Sequence, residues 1–114
     1  MGAAYGKKGQ QDRAIEHYER ALRIRMTVLG EMHADTARTI HSMGVSHSKR
    51  GQQDLAMELF GHALRIQTAT LGSVHADTAR TISSMGETCS WKGQHDRAIE
   101  LFDHALDIRI STLG

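Results

Sequence analysis

The sequence predicts an all-α fold, an α-solenoid of antiparallel helical hairpins. Three observations predict it: an internal repeat, regularly spaced glycines, and apolar residues at helical spacing. Laying residues 31–72 on 73–114 gives 26 identities in 42 positions, and laying 1–30 on 43–72 gives 15 in 30. We therefore expect residues 1–114 to form a single array, with a partial unit at 1–30 and full units at 31–72 and 73–114.

Glycines mark the places where the helices are expected to end, because a left-handed residue after a helix is adopted without strain only by glycine. They recur after each periodic stretch, at Gly9, Gly30, Gly51, Gly72, Gly93 and Gly114. Asp12, Asp54 and Asp96 each lie three residues beyond such a glycine, where a carboxylate caps the next helix or complements its dipole. The first helix is then clipped to Met1–Lys8, about two turns.

Two helices are predicted in each full unit. The helix from Ala34 to Lys49 starts with an acidic first turn and carries the apolar or packing positions Ala37, Ile40, Met43, Gly44 and His47. The helix that begins at Asp54 carries Ala56, Leu59, Phe60, Ala63 and Leu64 at the spacing of an amphipathic helix. The third unit repeats both patterns, and its last helix runs from Asp96 to Leu113.

The repeated positions resemble the tetratricopeptide pattern of a large residue, Leu-Gly and Tyr in one helix, then Ala, Phe and Ala in the next. HEAT and armadillo units have a similar length, but this pattern favours the tetratricopeptide family. The 42-residue spacing, with Leu-Gly followed by His-Ala-Asp-Thr-Ala, is similar to the kinesin light chain subclass, except that Ala34 and Ala76 replace its usual Pro. The matching residues are Ile40, Met43-Gly44, His47, Ala56, Phe60 and Ala63; Ile82, Met85-Gly86, Cys89, Ala98, Phe102 and Ala105; and Met1-Gly2, Tyr5, Ala14, Tyr18 and Ala21.

The resemblance implies a right-handed solenoid whose first helices line a concave groove that binds proteins or peptides. Transferred position by position, the groove-facing residues are Arg38, His41, Val45, Ser48 and Lys49 in the second unit, Arg80, Ser83, Glu87, Ser90 and Trp91 in the third, and Ala3, Gly6 and Lys7 in the clipped first unit.

The groove residues favour an acidic peptide as partner, because Arg38, Arg80 and Lys49 give it positive character, which Glu87 dilutes. Two alternatives stay open. The arginines lie in the block His33–Ile40, which repeats verbatim as His75–Ile82, so they could instead pair with Asp35 or Asp77. Trp91 stands where other units have lysine, so it either contacts a partner or lies along the helix surface.

Composition excludes several other functions. Fourteen basic and thirteen acidic residues leave a net charge of +1, which gives no reason to expect nucleic acid or membrane as partner. The chain lacks a secretory signal and a membrane-spanning apolar segment, so the cytoplasm is the default compartment. Repetition places like groups in a row rather than unlike groups in one pocket, and we expect no catalytic residues, metal site or cofactor. The eight histidines suggest that binding or assembly depends on pH near 6.

Both ends of the predicted stack look open, since no helix follows the apolar last one and the first is shortened. The chain is then a window on a longer array, a subunit that stacks head-to-tail into a homo-oligomer or filament, or a protein that tolerates frayed ends. We therefore predict a non-catalytic scaffold for protein–protein interaction through its groove and uncapped ends, with a self-assembling structural subunit as the alternative.

Overall fold

Five α-helices make up the part of the chain that the computed structural model describes, the backbone of residues 3–113 and the side chains of 9–113. They are α1 (Ala3–Val28), α2 (Ala34–Lys49), α3 (Gln53–Leu71), α4 (Ala76–Trp91) and α5 (His95–Leu113). Each helix packs on the next one along the chain. Residues 3–113 contain no strand, so the prediction of an all-α helical repeat fold is confirmed.

The first unit forms one helix rather than two. Helix α1 runs without a break through Gly9, so the predicted helix end at Lys8 is wrong. A glycine inside a helix costs only about 1 kcal/mol, and a helix of two turns is marginal by itself. Extending the hydrogen-bond ladder of α1 is therefore more favourable than a tight turn at this position.

A glycine follows the end of each of the helices α1 to α4, as predicted. Gly30, Gly51, Gly72 and Gly93 all have φ between 82° and 95°, the left-handed region that other residues rarely adopt. Gly114 lies outside the described residues.

The verbatim block His-Ala-Asp-Thr is a helix start. The Nδ1 atom of His33 accepts a hydrogen bond from the backbone N–H of Asp35 at 3.0 Å, and His75 accepts one from Asp77 in the same way. The Thr36 hydroxyl donates to the carbonyl of Gly30 at 2.9 Å, which ties the helix to the preceding turn. The histidines of this block therefore have a structural role as N-caps.

Each hairpin has a small hydrophobic core of its own. Ala37, Ile40, Ala63 and Ile66 form the first, between α2 and α3, and Ala79, Ile82, Ala105 and Ile108 form the second, between α4 and α5. A leucine of the preceding unit packs against each core: Leu22 of α1 on the first and Leu64 of α3 on the second. Neighbouring units are therefore joined by apolar packing.

In each hairpin a glycine of the first helix lies directly against an aromatic ring of the second helix. A Cβ atom built on Gly44 would lie 2.6 Å from Cε1 of Phe60, and one on Gly86 would lie 2.9 Å from Cε1 of Phe102. The glycine and aromatic positions of the repeated pattern therefore lie against each other in both units.

Candidate protein-binding groove

Helices α2 and α4 lie side by side and form most of the wall of an open groove, with a cavity of about 550 Å³. They can line one surface because the second helix of each unit packs behind them. Gln11, Ala14 and Tyr18 in the middle part of α1, with one residue each from α3 and α5, complete the wall.

Seven of the eight residues on which the predicted site depends lie in the wall of this groove: Arg38, His41, Val45, Lys49, Arg80, Ser83 and Glu87. Trp91 does not line it; it is the last residue of α4, and its side chain is 77% exposed. Ser48 and Ser90 do not line it either, and the side chains of Ala3, Gly6 and Lys7 lie outside the described residues. Whether the seven bind a partner stays a prediction.

His41 is a buried link between α2 and α4 rather than a free ligand of the groove. Its Nδ1 lies 2.8 Å from the hydroxyl oxygen of Thr81, and its Nε2 lies 3.0 Å from that of Ser84. The Thr81 hydroxyl donates to Oε1 of Gln67, so it accepts from His41 Nδ1–H, and Ser84 donates to Nε2. The ring is neutral in this arrangement.

The surroundings of His41 oppose its protonation. Burial, and secondarily the positive charge of Arg80, lower the pKa of His41 to about 4, although Asp77 acts in the opposite direction. This histidine therefore does not gain charge near pH 6, and the dependence of binding or assembly on pH stays a prediction.

The basic residues of the groove differ in their partners. Arg38 Nε donates to the Asp77 carboxylate at 3.1 Å, so this arginine does pair with a carboxylate of the repeated block. Arg80, Lys49 and Arg109 form no ion pair with another residue in the range 9–113. These three positive charges remain available to a ligand.

Sequence reasoning missed the residues that second helices bring to the groove. Gln67 and Arg109 occupy the same repeat position, 42 residues apart, and both line the wall. Tyr18 and Ser42 line it as well. The repeat register could have shown that Gln67 and Arg109 occupy equivalent positions. Only the packing of α3 and α5 against the first helices shows that these long side chains reach the groove.

The described residues contain no group of three or more His, Cys, Asp or Glu placed to hold a metal ion. Among them, no helix combines the length and the apolar character needed to cross a membrane.

Comparison with known proteins identifies the repeat. The family model described as "Tetratricopeptide repeat" matches residues 1–69 and 54–111. No curated protein matches the chain.

Solved structures share the fold. The crystal structure of a putative kinesin light chain with nearly identical TPR-like repeats, from Podosopora anserina, superposes with a TM-score of 0.80 at 26% identity over 97% of the chain. A single-substitution variant of that protein gives a TM-score of 0.79 at 26% identity over 97% of the chain. The crystal structure of BtubC (BKLC) from P. vanneervenii superposes with a TM-score of 0.83 over 90% of the chain. Its sequence identity is 24%, so this likeness shows the fold alone. The chain spans 54%, 53% and 41% of these three proteins, respectively.

Proposed function

The chain belongs to the tetratricopeptide repeat family, and from that premise we propose that it is a non-catalytic scaffold whose groove binds an acidic peptide segment of a partner protein. The observation that carries the proposal is the set of basic side chains in the groove with no acidic partner among the described residues: Lys49, Arg80 and Arg109.

Charge in the groove favours an anionic ligand. Four basic and two acidic side chains line it, and Asp77 is already paired with Arg38. Glu87 then opposes three positive charges. A single exposed ion pair contributes little to the binding free energy. Several charges that converge on one ligand contribute together, and they also raise its association rate.

The groove also offers uncharged contacts. Val45 and Tyr18 give it apolar surface, while Ser42 and Ser83 offer hydroxyl groups to a peptide backbone. The wall is held by the buried His41–Thr81–Gln67 chain of hydrogen bonds, so it is preorganised and little ordering entropy is lost on binding.

Fluorescence anisotropy tests this proposal with a short labelled peptide rich in Glu and a matched peptide with Lys in place of Glu. We expect the acidic peptide to bind more tightly and its affinity to fall with salt. Arg80→Gln should weaken binding about two- to fivefold, as expected for one exposed charge pair. Arg65→Gln is the control, because Arg65 is exposed on α3 and does not line the groove. Equal affinity for both peptides would refute an acidic ligand.

A second candidate function is a structural subunit that assembles head-to-tail into a filament. Exposed apolar residues at both ends of the stack favour it, Ile24 and Val28 on α1 and Leu106 and Ile110 on α5. Sedimentation velocity over a range of concentrations, with negatively stained electron micrographs, tests this role. Particles of one size that do not grow with concentration would count against it.

A further inference from the structure

Trp91 is the most exposed aromatic side chain of residues 9–113. It ends α4 and is 77% exposed, whereas Phe60 is buried. The repeat itself leaves this position open, because Lys49 holds the same place on α2 and is exposed although α4 lies beside that helix. A large apolar side chain that is kept in water at such a position is typical of a contact with a ligand.

Trp91 continues the face of α4 that lines the groove. Arg80, Glu87 and Trp91 share this face, since seven and four residues separate them and a helix turns once in 3.6 residues. The first two line the cavity, and Trp91 lies where the same face leaves it. Side chains four residues apart are neighbours on a helix, with Cβ atoms about 5–6 Å apart. A ligand that follows α4 along the groove therefore meets the carboxylate of Glu87 and the indole together.

The carboxylate of Glu87 forms no ion pair with residues 9–113. The positions three and four residues away on α4 hold no basic side chain; they are Ser83, Ser84, Ser90 and Trp91. Lys92 is bound to Asp54, and Lys49 lines the same groove without pairing with Glu87. The groove therefore presents one negative charge to a ligand, next to an exposed indole.

An indole beside a carboxylate attracts a cation by two separate interactions. A positive group over the face of the ring is held by the ring quadrupole, and the carboxylate accepts charge-assisted hydrogen bonds from it. Arginine fits this pair better than lysine, because the planar guanidinium stacks on the ring and still donates two hydrogen bonds to the carboxylate. An apolar side chain would use the indole only, and an acidic one would be repelled by Glu87.

We propose that Glu87 and Trp91 form a subsite for an arginine side chain of the bound peptide. This inference rests on the proposed function and adds a second recognition element of opposite charge to it. Arg80 and Trp91 are eleven positions apart on α4, about 16 Å along the helix axis. An extended peptide covers this distance in about five residues. The partner segment therefore carries an acidic run and an arginine about five residues away from it.

Fluorescence of Trp91 tests the inference directly, because the chain has a single tryptophan. The probes are peptides with a run of Glu and an Arg about five residues after it or before it, and versions of each with Gln or Leu in place of Arg. We expect the Arg peptide, in one of the two orders, to change the emission of Trp91. It should also bind about three- to tenfold more tightly than its Gln and Leu versions.

Variants of the subsite separate its two parts, with labelled peptides followed by anisotropy. Trp91→Leu and Glu87→Gln should each weaken binding of the Arg peptide about two- to fivefold and should not weaken binding of the Gln peptide. Trp91→Phe should keep most of the affinity, because an aromatic face remains. Glu58→Gln is the matched control, since Glu58 is exposed on α3 and does not line the groove.

The outcomes distinguish this inference from the proposed function. Equal affinity of the Arg and Gln peptides, with unchanged emission of Trp91, would refute the subsite and leave the acidic ligand in place. Equal affinity of the Arg and Leu peptides, both above the Gln peptide, would assign Trp91 to an apolar side chain and refute the basic one. Failure of every acidic peptide to bind would refute the proposed function and this inference with it.

Discussion

Helices α3 and α5 occupy the same position in successive units and differ mainly in what lies beyond them. Towards their own hairpins they are alike: Ala63 and Ile66 are buried in one core, and Ala105 and Ile108 in the other. On the opposite side α3 is covered by α4, whereas no helix within residues 3–113 covers α5. The comparison shows that the hairpin core is a property of the unit, while burial of the aromatic residue also needs a neighbour.

The largest expected effect separates the two aromatic residues. Phe60→Ala should destabilise the chain by about 3–5 kcal/mol, because Phe60 is fully buried and its removal leaves a cavity. Phe102→Ala should cost about 1–2 kcal/mol, since the part-exposed ring leaves a site that water can enter. Thermal and urea unfolding measure both. Equal losses would refute the claim that α4 sets the environment of Phe60.

The second prediction concerns pH and the difference between His41 and its counterpart Ser83. The pKa of His41 in the folded chain is about 4, below its ordinary value of 6.5, so the unfolded chain takes up the proton first as the pH falls. The stability that the neutral ring contributes is therefore complete above pH 6.5 and is lost towards pH 4, by about 3 kcal/mol in all.

Replacing His41 with the residue of the third unit isolates this effect. His41→Ser should be less stable at neutral pH, because Thr81 and Ser84 lose a hydrogen-bond partner. Its stability should also fall less steeply between pH 6.5 and 4 than that of the original chain. An unchanged slope in urea unfolding at a series of pH values would show that other groups cause the acid sensitivity.

Replacing the helix glycines Gly44 and Gly86 should lower stability by smaller amounts, and again by more in the covered unit than in the open one. A Cβ on Gly44 meets a Phe60 ring that cannot move, so Gly44→Ala should destabilise by about 1–2 kcal/mol after the gain in helix propensity. Gly86→Ala should cost less than about 1 kcal/mol, because Phe102 can move outwards. Urea midpoints measure the difference, and a larger loss at Gly86 would contradict the comparison.

The smallest effect is that of the ion pair between units. Asp54→Asn should lower stability by about 0.5 kcal/mol more than Asp96→Asn, because both residues lie in the first turn of a helix but only Asp54 pairs with Lys92. The difference should disappear in high salt. If it persisted there, hydrogen bonding rather than charge would link the units.

Much of this architecture could be predicted from the sequence. A 42-residue repeat with glycines at fixed places determines the hairpins, and a position such as Arg80 reaches the groove because it shares a helix face with Ser83 and Glu87.

The helix starts were predicted less completely. Asp54 and Asp96 lie in the first turns of α3 and α5, but Asp12 lies inside the unbroken α1, so its predicted place at a helix start is wrong. The hydrogen bond accepted by His33 was not predicted.

Other features could not be predicted because they depend on contacts between units. The burial of His41 arises only when α2 and α4 lie side by side. The same contact decides between the two carboxylates that the sequence offered to the arginines, because it places Asp77 next to Arg38. Whether α1 continues through Gly9 depends on two free energies, the cost of a glycine inside a helix and the cost of a tight turn at this place. Local sequence does not decide which of them is smaller.

Native-state hydrogen exchange in α3 and α5 tests most directly the claim that equivalent helices differ because only one is covered. Amides near Phe102 and Leu106 should exchange faster than those near Phe60 and Leu64, with α5 opening before the core between α2 and α3. Equal protection of the two helices would show that the covering helix does not cause the difference.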